Sequence, residues 1–164
     1  MSGVIAFTDI VGFTEFTASE GDARAVELLS VQRGIVDQVM PARGRVVKEL
    51  GDGLLLWLDV APEAVEAARR LQAAFQDRSA NGDLPLWVRM GMHWGSPLER
   101  GDDLVGNDVN IAARISDQAG PGEIVVSEAL VSHLDLTDSD VDLDAIGPVL
   151  MKGLPEAIWL YRIT

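Results

Sequence analysis

The sequence predicts an α+β fold: a ferredoxin-like split βαβ sandwich, with a mostly antiparallel sheet, helices packed on it and extra strands at the C-terminal end. Three observations predict it. Short apolar runs and stretches of helical spacing follow one another in the order β-α-β-β-α-β. Gly51-Asp52-Gly53 between two of those runs is a hairpin turn signal. The chain has 164 residues, 48% of them apolar, which is enough for one buried core and suits a single domain over 1–164.

The elements are expected in this order. Val4 to Thr8 is a short apolar run bounded by polar residues, read as a buried strand, and Asp9 to Thr14 is the connection after it. From Asp22 to Met40 the spacing of Ala25, Leu28, Leu29, Gln32, Ile35, Val36 and Val39 is helical, and Pro41 and Gly44 end it. Arg45–Leu50 and Leu54–Leu58 are the hairpin strands. Pro62 sits at the start of a second helix whose inner face carries Ala64, Val65, Ala68, Leu71, Ala74 and Phe75, closed by Asn81-Gly82-Asp83. Leu86–Trp94 is a strand, and Gly95–Gly106 a loop holding Asp102 and Asp103. Asn107–Asp117 reads as a short helix, Ile124–Val126 as a buried strand and Ala157–Ile163 as a last strand. Between them, the stretch from Asp135 to Asp144 has five aspartates and little pattern. The helices are expected on one face of the sheet.

Composition excludes several classes. Without cysteine there is no disulfide scaffold, thiolate metal site or Cys nucleophile. A formal net charge of −13 disfavours nucleic acid and anionic membranes as partners. No apolar run approaches the ~20 residues of a membrane span. The N-terminus lacks a basic region before its apolar run, so the expected compartment is the cytoplasm. No Walker A loop, GxGxxG, HExxH or GxSxG occurs.

Several side chains carry chemistry. Asp9 ends an apolar strand and Asp52 sits at the hairpin tip. In a split βαβ sheet those strands are neighbours, so the two carboxylates converge. Their repulsion would be relieved by hard divalent cations, a phosphoryl-transfer arrangement. Taken singly, Asp52 also suits a plain turn and Asp9 a helix N-cap. The only lysines are Lys48, inside a mostly apolar strand, and Lys152, in a glycine turn. Lys48 suits pairing with an acid or snorkelling, and Lys152 a solvated loop. Asn110 and Arg114 stand four apart on one helical face, which suits ribose or phosphate oxygens as well as plain solvent exposure. His93 reads as a structural histidine near a strand end, His133 as exposed, and the four tryptophans as core or interface residues.

Together these stretches resemble the class III nucleotidyl cyclases, which make cyclic AMP and cyclic GMP. The matching segments are Phe7-Thr8-Asp9-Ile10-Val11-Gly12-Phe13-Thr14, Val47-Lys48-Glu49-Leu50-Gly51-Asp52-Gly53, Gly91-Met92-His93, Asp103 to Gly106, Val109-Asn110-Ile111-Ala112-Ala113-Arg114 and Lys152-Gly153. They are collinear and span nearly the whole chain. The resemblance implies that Asp9 and Asp52, with the Ile10 carbonyl, hold two divalent cations, Mg²⁺ or Mn²⁺. It implies that Lys48 and Asp103 read adenine, Asn110 positions the ribose, Arg114 stabilises the transition state and Lys152 contacts the terminal phosphates. Asp102, beside Asp103, allows a slip of one residue there.

The implied activity is adenylyl cyclase: attack of the ATP 3′-oxygen on the α-phosphorus, with pyrophosphate leaving. The implied assembly is a head-to-tail homodimer whose two sites each draw on both chains. No sensor segment is evident, so concentration-driven dimerisation is the expected control. Two other readings are a non-catalytic nucleotide-sensing module and another palm-like transferase such as a diguanylate cyclase. The first would lack metal or transition-state residues, and the second requires a Gly-Gly-Asp/Glu-Glu-Phe signature that is absent.

Overall fold

The N-terminal apolar run folds as β1 (Gly3–Ile10), followed by α1 (Phe13–Glu20) and α2 (Asp22–Val39). The hairpin strands are β2 (Gly44–Leu50) and β3 (Gly53–Leu58), then come α3 (Ala61–Ala80) and β4 (Val88–Gly95). A small arm, β5 (Leu98–Arg100) and β6 (Asp103–Val105), precedes α4 (Asn107–Ser116). The chain closes with β7 (Ile124–Ser127), α5 (Glu128–Val131), β8 (Leu143–Val149) and β9 (Ile158–Ile163). This computed structural model describes residues 1–137 and 139–164. Asp138, one of the five aspartates between 135 and 144, lies outside the described residues.

Seven strands form one sheet in the order β2-β3-β1-β4-β7-β9-β8, and β5-β6 stands apart as a hairpin. Every pairing is antiparallel except β4 with β7. The fold is therefore α+β with a mainly antiparallel sheet. β1 lies inside it, registered on β3 by Val4 opposite Leu58 and on β4 by Asp9 opposite Arg89.

The inner strands are buried on both faces, as the apolar run of β3, buried at every position, shows. Val4 and Ala6 face the core built with Leu28 and Val36 of α2 and Leu71 and Phe75 of α3. Ile5, with Leu55 and Trp57, faces Val109 and Ala112 of α4. Helices thus cover both faces, not the single face expected, because alternate residues of β1 are apolar in both directions. Gly91 lets α4 approach β4: a Cβ there would collide with the Ser116 backbone.

Three stretches depart from expectation. The supposed connection after Thr8 continues as strand to Ile10, and α1 begins at Phe13. α1 has no fully buried residue and only partly buried Phe13 and Phe16, so its sequence carries no helical stripe. The loop 95–106 contains the β5-β6 arm, and the aspartate-rich stretch runs into β8, whose partner β9 supplies the order its pattern lacks.

Candidate functional site

The C-terminal end of β1 delivers Asp9 onto the α4 side of the sheet, in step with Ile5 and Phe7. Directly opposite on β4 stands Arg89, which donates from Nε to Asp9 Oδ1 at 2.6 Å and from Nη2 to Oδ2 at 2.9 Å. Asp52 occupies the two-residue turn between β2 and β3, since Leu50 pairs with Gly53. The turn can lie against β1 only because residue 53 is glycine. A Cβ there would collide with the Thr8 carbonyl and sit 3.2 Å from the Asp9 Cβ. Gln32, buried on α2, donates to the Asp52 carbonyl at 3.3 Å and anchors the turn from behind.

Burial pushes the Asp52 carboxyl above its ordinary value, and the charge of Asp9 adds to the effect. The backbone N–H groups of Asp52 and Ile10, and Arg89, pull it partly back. Asp9 and Asp52 line the same cleft, and two carboxylates are hard oxygen donors of the type that fits a divalent cation of the Mg²⁺ or Mn²⁺ kind. Among the described residues no three His, Cys, Asp or Glu side chains cluster as metal ligands, so further coordination positions would fall to water or substrate oxygens. Asp9 caps no helix, because Gly12 is the N-cap of α1.

Lys48 and Asp103 meet although 55 residues separate them: Nζ lies 2.9 Å from Oδ2. A bulge at Val47 makes this contact. It shifts the register so that Lys48 opposes Leu55, which faces α4, whereas uninterrupted alternation would place Lys48 on the far face. Hydrogen bonds from Lys48 and from the Leu104 N–H hold the Asp103 carboxyl below its ordinary value. Asp102 uses its backbone carbonyl instead, accepting from Arg45 at 3.1 Å.

On α4, Val109, Ala112 and Ile115 are buried, which turns Asn110 and Arg114 outward. A cleft of about 590 Å³ runs between this helix face and the hairpin tip, with Asp9, Asp52, Asn110, Arg114 and Lys152 along its walls. Five of the predicted side chains therefore share one cleft, whereas Ile10, a buried core residue, is not among its lining residues. Lys48 and Asp103 pair with each other but are not among its lining residues. Arg114 reaches Asp117, with Nη1 3.4 Å from Oδ2, and Arg89 lies 3.5 Å from the other oxygen of Asp117.

Sequence reasoning did not pick out Arg89 or Asp117. The signal available for Arg89 was a charged side chain inside a mostly apolar strand, the same signal that singled out Lys48. His93 is structural: it is buried between Ser127 Oγ at 2.7 Å and Asp108 Oδ1 at 3.3 Å, and burial lowers its pKa. His133 is exposed and stacks on Trp94 with ring centroids 3.9 Å apart. Trp57 is buried, whereas Trp87 and Trp159 are each 45% exposed.

Residues 3–164 match the family described as adenylate and guanylate cyclase catalytic domain. An adenylate cyclase of Streptomyces griseus is 33% identical over 132 residues, covering 79% of this chain and 32% of that protein. An adenylate cyclase from Trypanosoma brucei, solved in its monomeric state, superposes with a TM-score of 0.85 at 21% identity, covering 99% of this chain and 89% of that one. The guanylate cyclase domain of RhGC from Catenaria anguillulae, solved with GTP, superposes at 0.76 with 20% identity, covering 99% and 96%. The chain spans 27% and 40% of the length of the first two curated relatives it matches. No helix among the described residues is long and apolar enough to cross a membrane.

Proposed function

This chain belongs to the class III nucleotidyl cyclase family, and on that premise we propose that it converts ATP to 3′,5′-cyclic AMP and pyrophosphate. The observation that carries the choice of ATP is the Lys48–Asp103 pair at 2.9 Å. Lysine only donates and a carboxylate only accepts. Adenine offers an acceptor at N1 and a donor amine at C6, so the pair matches it. Guanine presents the reverse and meets two mismatches.

Asp9, Asp52 and the Ile10 carbonyl would hold two divalent cations. The chemistry these supply when bound is activation of the ribose 3′-hydroxyl and neutralisation of the triphosphate. Asn110 orients the ribose. Arg114 meets the charge that develops on the α-phosphoryl oxygens, an effect worth roughly 3–4 kcal/mol, or about 10²–10³ in rate. Lys152 binds the terminal phosphates. The sites are shared in a head-to-tail homodimer: one chain gives Asp9 and Asp52, and its partner gives the base-reading pair, the amide and the guanidinium. The segment 1–164 acts as one catalytic domain in the cytoplasm, with β2-β3-β1-β4 as its split βαβ half.

The test is incubation with ATP or GTP, with Mg²⁺ or Mn²⁺, and identification of the product. Cyclic AMP from ATP, with GTP turned over far more slowly, is expected. Comparable turnover of GTP would overturn the choice of base, and no cyclic product from either would overturn the activity.

A further inference from the structure

α2 packs on the sheet through Ala25, Leu28 and Val36, and Gln32 stands among them, 2% exposed. It is an amide in an apolar stripe. Its Nε2 donates to the Asp52 carbonyl at 3.3 Å, and no donor among the described residues reaches its Oε1. The carbonyl fixes the orientation of the amide, since only the nitrogen can face it. One neutral hydrogen bond does not offset the burial of an amide whose acceptor stays unpaired. A methionine or leucine at this position would complete the stripe with no such penalty. The other buried glutamine, Gln72, also has an unpaired Oε1, but its amide bridges two carbonyls, of Val88 and Glu123, and so ties β4 to the chain entering β7. Gln32 ties α2 to a single atom, in the turn that carries a proposed cation ligand.

That atom is well placed to orient the ligand. Asp52 lies in a two-residue turn, whose remaining freedom is rotation of its peptide planes. Its carboxyl accepts from the Ile10 N–H and lines the cleft. With the carbonyl held on the α2 side, the peptide between Asp52 and Gly53 cannot turn over, and the carboxylate stays at the cleft. We infer that Gln32 is a positioning residue of the cation site: its amide pins the Asp52 carbonyl and keeps the Asp52 carboxylate directed beside Asp9, at the expense of fold stability. The inference deepens the function proposed above and rests on Asp52 as a cation ligand.

The test is Gln32→Met in the full chain, with two measurements. Mn²⁺ binding without nucleotide is read from free Mn²⁺ by electron paramagnetic resonance, and fold stability from melting of the metal-free protein. Mn²⁺ affinity should fall by about 3- to 10-fold, the ratio one neutral hydrogen bond commands. The melting temperature should rise by about 2–4 °C, because the unpaired acceptor is gone. A merely structural glutamine would lower both together. In the cyclase assay the Mn²⁺ needed for half-maximal rate should rise by the same factor, with KM for ATP at saturating Mn²⁺ within about 2-fold of the wild type. Gln32→Leu should repeat both signs and stands in if the methionine variant does not fold. Arg33→Ala is the control: it removes the exposed salt bridge from α2 to Glu49 on the same hairpin and should leave Mn²⁺ affinity within about 2-fold. A lower melting temperature in Gln32→Met, or equal weakening of Mn²⁺ binding by Arg33→Ala, would overturn the positioning role. If Asp52→Asn binds Mn²⁺ as the wild type does, the cation site itself is misassigned. If Asp52→Asn loses Mn²⁺ while Gln32→Met binds it normally, only the role of Gln32 fails.

Discussion

Replacing Asp52 by Asn should stabilise the fold while removing the reaction. The Asp52 carboxyl is raised by burial and by the neighbouring charge of Asp9, so keeping it ionised at neutral pH costs folding free energy. A fully buried acid would cost several kcal/mol. This one is only partly covered and accepts backbone donors, which leaves about 0.5–1 kcal/mol after solvent screening. Asn keeps the shape without the charge, so the melting temperature of the metal-free protein should rise by about 1–4 °C. The sign follows from linkage. The folded pKa lies above the unfolded one, so the wild-type penalty is complete above the folded pKa and fades as pH falls through it toward the unfolded value. The gap between variant and wild type therefore closes in acid. Adding Mn²⁺ should reverse the order, because binding stabilises the wild type most. Cyclase activity should fall at least about 10²-fold with the loss of a cation ligand. Thermal melts with chelator at neutral and acid pH check the argument. A variant that melts below the wild type at neutral pH, or a gap unchanged in acid, would refute it.

Lys48→Glu combined with Asp103→Ser should shift the ATP-to-GTP ratio of kcat/KM by about 10-fold or more toward GTP, and an unchanged ratio would remove their base-reading role. Asp9→Ala and Arg114→Ala chains, each inactive alone, should recover activity on mixing, since a mixed dimer holds one intact site. No recovery would contradict shared sites. Gly91→Ala should destabilise the fold by about 1–3 kcal/mol, because α4 must move off β4; a urea unfolding midpoint equal to the wild type would show that the approach is looser than described.

Much of the cleft was legible because its signals are local. Asp9 ends an apolar run, Asp52 sits in a turn, and the four-residue spacing of Asn110 and Arg114 puts them on one helical face whatever surrounds it. α2 and α3 were legible for the same reason, each carrying a long apolar stripe. α1 was not, since its eight residues bury nothing fully and depend on packing by Phe13 and Phe16. β8 was not, because its order comes from β9. The placement of α4 on the opposite face from α2 and α3 was also hidden. An apolar strand does not say which helix covers which side.

The sequence by itself determined which chemistry the chain carries: two carboxylates at strand and turn ends, an amide and a guanidinium one helical turn apart, and two lysines in a chain otherwise supplied with arginine. Tertiary structure decided which charges meet. Strand register sets Arg89 opposite Asp9, and a bulge at Val47 turns Lys48 toward Asp103. Side chains alternate along a strand, so a shift of one residue reverses every facing, and no local pattern reports where such a shift falls.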